Sequence, residues 1–148
     1  MPKIIHPIAG LVAFLTVAGF WLSTVISELF LGLAAVVEVK TAIPWGFLLL
    51  VPALALTGGT GFSLMRGRRG RLADAKLRRM PIIVVNGLLL LIPAALFLAF
   101  KAKADEFDAY FYIVQAIELI AGAVNITLLG LNLRDGLMMK GRLRRRNV

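Results

Sequence analysis

The sequence predicts an all-α integral membrane protein: a four-helix bundle, threaded up-down-up-down, with both termini in the cytoplasm. Three observations lead there. The 148 residues are 59% hydrophobic and 17% charged, with a mean hydropathy of +0.87; a soluble domain has roughly 45–50% apolar and about 25% charged residues. Four apolar stretches each reach the length of about 20 residues at which a helix crosses a bilayer. The basic residues gather in two clusters that flank those stretches. Lipid offers no water to free backbone groups, so helices are the economical form of all four stretches.

The first span covers about residues 7–31, PIAGLVAFLTVAGFWLSTVISELFL. It is far longer than the roughly 7–15 apolar residues of a cleaved signal peptide, so it is read as a retained helix. Residues 32–43 are expected to form the first loop or an extension of helix one. The second span is about 44–65, the third about 80–100 and the fourth about 109–133. The connections at 66–79 and 101–108 are short, which forces antiparallel neighbours and a single transmembrane domain over 1–148. Pro44 and Pro81 open spans, where a missing N–H costs little. Pro52 and Pro93 lie inside spans and are expected to kink them.

Lys and Arg set the orientation. Lys3, the 66–79 loop and the 134–148 tail together hold fourteen of the seventeen; the other side holds Lys40, Lys101 and Lys103. The positive-inside rule then places both termini and the middle loop in the cytoplasm of what is expected to be a bacterial inner membrane. Trp45, Tyr110 and Tyr112 fall at the outer interface, where amphipathic rings belong. The net charge of +9 points to anionic lipid rather than nucleic acid, because no aromatic residue is interleaved with the basic ones. Arg66, Arg68, Arg69, Arg71, Arg78, Arg79, Arg142, Arg144, Arg145 and Arg146 are expected to contact anionic headgroups on the cytoplasmic side. Leu72, Ala73, Ala75 and Leu77 could give the middle loop a short amphipathic turn.

An ionisable residue inside a membrane span costs about 2.5–3.5 kcal/mol and is a functional candidate by default. Glu28 and Glu118 qualify. At helical spacing Gln115, Glu118, Gly122, Asn125 and Asn132 share one face of the fourth span. Thr16, Gly19, Ser23 and Ser27 share one face of the first. Thr57 to Gly61, Asn86 and Gly87 add small and polar positions to the second and third. These faces are expected to meet inside the bundle. Inter-helical packing and hydrogen bonding explain most of them. Glu28, Gln115, Glu118 and Asn125 form the candidate intramembrane polar site. It would be either structural, with a protonated carboxyl, or proton- or cation-coupled.

His6 is the only histidine. An interfacial role is preferred. As a haem b or metal ligand it would need Met65, Met80, Met138 or Met139, or a second chain, as its partner. The absence of Cys removes thiolate chemistry. No P-loop, H-E-x-x-H or G-x-S-x-G motif occurs, so catalysis is not expected. Three functions remain. The leading expectation is a non-catalytic accessory subunit or scaffold of a larger membrane complex or homo-oligomer. A small proton- or cation-coupled transporter or channel using Glu118 and Glu28 is the second. A haem b or quinone redox protein using His6 is the third.

Overall fold

The computed structural model describes residues 2–67 and 70–139. It is all-helical, with four helices each long and apolar enough to span a membrane. Helix α1 is Pro2–Phe30, α2 is Leu33–Met65, α3 is Arg71–Asn86, α4 is Ile92–Lys103 and α5 is Ala109–Met139. A π turn, Gly87–Leu91, joins α3 to α4, so Arg71–Lys103 is one continuous span. Pro93 accounts for the turn: it lacks an N–H, and its ring crowds the carbonyl four residues back. The wider π turn takes up that crowding without breaking the span.

The helices begin earlier and end later than hydropathy alone indicates. Residues 33–43 are neither a loop nor part of α1; they are the first three turns of α2, and the link is only Leu31 and Gly32. Pro44 therefore lies inside α2, and Pro81 inside α3. Residues 71–79, expected as loop, are helical, and α5 carries on six residues past Leu133. At 1.5 Å per residue the 33 residues of α2 extend about 50 Å, well beyond a hydrocarbon core of about 30 Å. Hydropathy marks only the apolar core of such a helix, not its polar turns.

The turns have local causes. Gly67 follows α2 at φ +79°, a left-handed conformation that glycine adopts without a Cβ penalty. Asp105 follows α4 at φ +52°, and Glu106 N–H donates to the Lys101 carbonyl at 3.0 Å, closing a Schellman turn. Asp108 then caps α5, its Oδ1 accepting from Phe111 N–H at 3.0 Å, which satisfies a donor the first turn leaves open.

The core has two parts. Ala13, Val17, Leu50, Ala53, Ile83 and Leu129 join α1, α2, α3 and α5 at the centre. Val36, Leu98, Ala102 and Phe111 join α2, α4 and α5 at the end where α1 stops. Outside them Leu, Ile, Val and Phe side chains stay exposed along every span, the surface a lipid-facing bundle presents.

Candidate functional site

Polar side chains occupy three levels of the interior. At the end where α1 stops, Lys40 Nζ donates to Glu118 Oε2 at 2.5 Å and lies 3.5 Å from Thr24 Oγ1. Lys40 is 1% exposed and the Glu118 side chain 12%. A lone buried charge would cost several kcal/mol; the opposite charge and the hydroxyl offset that cost. Beside the pair, Trp21 Nε1 donates to the Leu119 carbonyl at 2.8 Å and fastens α1 to α5. Gly122 makes room for the indole: a Cβ there would stand 2.9 Å from Trp21 Cδ1. Glu28 lies one turn beyond Thr24 on α1, and Gln115 about one turn beyond Glu118 on α5, toward the same end of the bundle. Glu28 Oε1 and Gln115 Oε1 are both buried without a hydrogen-bond partner among the described residues.

At mid-bundle Asn86 Nδ2 donates to the Ala121 carbonyl and to Asn125 Oδ1, each at 2.8 Å. Asn125 Nδ2 lies 3.4 Å from the Ile83 carbonyl. This amide pair ties α3 to α5 immediately before the π turn.

At the opposite end His6 Nδ1 lies 3.1 Å from both the Thr57 carbonyl and Thr60 Oγ1, and Lys76 Nζ lies 3.1 Å from His6 Nε2. An ammonium group only donates, so Nε2 accepts and Nδ1 carries the proton given to Thr57. Gly61 admits the ring; a Cβ there would stand 2.9 Å from His6 Cε1. Nearby, Arg79 Nη1 donates to Asp135 Oδ2 at 2.6 Å, and Arg134 Nη2 lies 3.2 Å from Asp135 Oδ1.

A cavity of about 360 Å³ is lined by His6, Lys76, Phe47, Leu50 and Asn125, and it is open to the outside beside the exposed Val51, Val84 and Leu88. A second cavity of about 50 Å³ adjoins it, sharing Val17, Phe47, Leu50 and Leu91, and reaches Trp21, Thr24 and Glu118. The two cavities share part of their walls, which are mostly apolar in both.

The expected face of α5 turns inward: Gln115, Gly122, Asn125 and Asn132 are buried and Glu118 is nearly so. Its members do not form one site. Glu118 pairs with Lys40, whereas Asn125, seven residues or about 10 Å along the helix, pairs with Asn86. The expected face of α1 is corrected. Gly19 and Ser23 are exposed, with Ser23 Oγ bonded back to the Gly19 carbonyl at 2.7 Å. The buried stripe of α1 is Ala9, Ala13, Val17, Thr24 and Ser27.

Among the expected headgroup contacts, Arg66, Arg71 and Arg78 are exposed, and Arg79 is held by Asp135. Arg68, Arg69, Arg142, Arg144, Arg145 and Arg146 lie outside the described residues. Iron at His6 would have to displace Lys76 or Thr57 from a ring nitrogen. Among the described residues no three His, Cys, Asp or Glu side chains are grouped to hold a metal ion.

Lys40 and Lys76 are the residues that sequence reasoning assigned to loops. A signal was present in both cases. Val36, Lys40 and Ile43 are spaced i, i+4, i+7, and Ala73, Lys76, Met80 and Ile83 are spaced i, i+3, i+7, i+10; each set puts a lysine on an apolar helical stripe.

No protein-family model, curated protein or solved structure matches the chain.

Proposed function

We propose that the chain is a small proton-coupled membrane transporter or channel whose working groups are Glu118 and Glu28, with Lys40 as the counter-charge. One observation carries the reading: a buried Lys40–Glu118 pair whose carboxylate residue lines a cavity of about 50 Å³ between α1, α2 and α5. Ionisable groups inside membrane helices mark ion and proton paths by default. Protonating Glu118 removes the charge that holds Lys40, so proton arrival alters the contact between α2 and α5. Glu28 Oε1 and Gln115 Oε1 both lack a donor; one proton on Glu28 supplies a donor at that level of the bundle. The threading that goes with this reading is up-down-up-down in a bacterial inner membrane, with both termini and the loop before α3 cytoplasmic. Its support is the placement of the basic residues.

The test uses proteoliposomes loaded with a pH-sensitive dye under an imposed potential, negative inside. Wild type should acidify the lumen well above empty liposomes, and Glu118→Gln should fall to their level. Equal rates for wild type, Glu118→Gln and empty liposomes overturn the reading.

A second reading is an accessory subunit or scaffold of a membrane complex. What favours it is the outward placement of Gly19 and Ser23 on α1, since small residues on a lipid-facing surface let another helix approach closely. Extraction in mild detergent followed by mass spectrometry tests it. A stoichiometric partner supports the subunit role; recovery of the chain alone removes it.

A further inference from the structure

We propose that the 360 Å³ cavity takes one acyl chain of a bilayer glycerolipid, with the ester carbonyl of that chain at Asn132. The volume falls in the range of small-molecule sites, roughly 300–1,000 Å³, which are mostly apolar with a few placed polar groups. Leu50, Leu54, Ile83 and Leu91 line the path of the chain. Asn132 supplies the polar contact. It is 7% exposed and lines the same cavity. Arg79 Nη1 lies 3.4 Å from Asn132 Oδ1. A guanidinium only donates, so the amide oxygen faces Arg79 and Nδ2 is the remaining donor. No described residue accepts from that Nδ2. A buried donor left without an acceptor costs free energy, and a carbonyl brought in by a ligand supplies one. The other amide on the wall is already in use: Asn125 Oδ1 accepts from Asn86, and its Nδ2 lies 3.4 Å from the Ile83 carbonyl.

The depth of Asn132 fits an ester. Arg79 and Asp135 meet beside it, and Arg78 is exposed, so this end of the cavity lies where the apolar part of the span gives way to charge. Glycerolipid esters sit at that boundary, and their chains run from it toward the bilayer midplane. From the same level the cavity follows α3 and the π turn from Met80 to Ile92, a rise of about 18 Å. The hydrocarbon of one leaflet is about 15 Å deep. Val51, Val84 and Leu88 line the cavity yet are exposed, so a chain enters sideways from lipid without leaving an apolar medium. Binding of this kind requires no proton movement at Glu118.

The experiment offers the detergent-purified, delipidated chain equal amounts of dipalmitoyl phosphatidylcholine and its dihexadecyl diether analogue, and reads the retained lipid by native mass spectrometry. The two share headgroup and chain length and differ in the ester carbonyls. Wild type should hold one lipid per chain and prefer the diester by about fivefold, the effect of one neutral hydrogen bond. Asn132→Leu should hold both lipids equally. Gly58 lines the cavity, and a Cβ there would meet nothing within 4 Å, so Gly58→Phe has room to fill the space and should lose the bound lipid. That variant decides the matter if Asn132→Leu does not fold. Equal retention of the two lipids by wild type, as expected for a groove that any chain fills, overturns the proposal. So does a diester preference that survives Asn132→Leu, or one lipid per chain still held by Gly58→Phe.

Discussion

Lys40 Nζ and Glu118 Oε2 meet at 2.5 Å, joining the third turn of α2 to the third turn of α5. Each charge is carried by a helix whose other residues at that depth are mostly apolar. Neither would be stable there without the other, so the pair acts as one unit.

Lys40→Met removes one half of that unit and leaves Glu118 as a nearly buried, uncompensated charge. Breaking a buried pair in this way costs about 3–5 kcal/mol, whereas replacing both partners by apolar residues is often neutral. The single variant should therefore unfold at lower denaturant in mixed micelles, and Lys40→Met with Glu118→Leu should recover most of the loss. A double variant as unstable as the sum of the singles would show that the two residues are not coupled.

Asp135 is 1% exposed and accepts from Arg79, whose side chain is 20% exposed, and from Arg134, which is 56% exposed. The two arginines should differ in effect. Arg134→Ala breaks a solvated contact and should cost less than about 1 kcal/mol. Arg79→Ala leaves the buried carboxylate without its shortest partner and should cost about 3 kcal/mol. Thermal unfolding of the two variants side by side measures the difference.

Gly122→Ala places a methyl group 2.9 Å from Trp21 Cδ1. The indole has to move, and its hydrogen bond to the Leu119 carbonyl is lost or lengthened. Overpacking of this kind costs about 1–3 kcal/mol. Trp45 is 74% exposed, so in a Trp45→Phe background the emission of Trp21 alone reports the change. An unshifted emission spectrum with unchanged stability would contradict the tight packing of α1 on α5.

Outside the spans, Asp108 lies between α4 and α5. The Lys101 ammonium, 2.6 Å away, and the Phe111 N–H hold its carboxyl below the ordinary aspartate value. A group whose pKa is lowered by folding stabilises the fold above its unfolded pKa, and that contribution disappears as pH falls through the folded value. The cap should thus be fully formed at neutral pH and lost only in strong acid. The amide resonance of Phe111 should titrate with the Asp108 carboxyl, and Asp108→Asn should remove that acid transition.

Much of the fold was legible in the chain. The count and order of the spans follow from hydropathy, because an uninterrupted apolar helix is the form lipid allows. The inward face of α5 was legible too, since Gln115, Glu118, Gly122, Asn125 and Asn132 repeat at helical spacing. On α1 the same reasoning chose the wrong stripe. Ser23 satisfies its hydroxyl on its own helix, so a serine facing lipid and one facing a neighbour read alike.

Two lysines mark the boundary between sequence and tertiary structure. Counting Lys and Arg beside apolar runs assigns Lys40 and Lys76 to loops, because a charge near the end of a span is cheapest in water. That rule prices each residue alone. Burial of Lys40 is tolerable only because Glu118, 78 positions away in sequence, meets it across two helices. Burial of Lys76 is accompanied by a contact with His6, 70 positions away. The sequence by itself determined four helices fit to cross a membrane, and the polar face of the last. Only tertiary packing decided which charges went inside, because what offsets the desolvation of a buried charge is a partner on another helix, and hydropathy carries no information about partners.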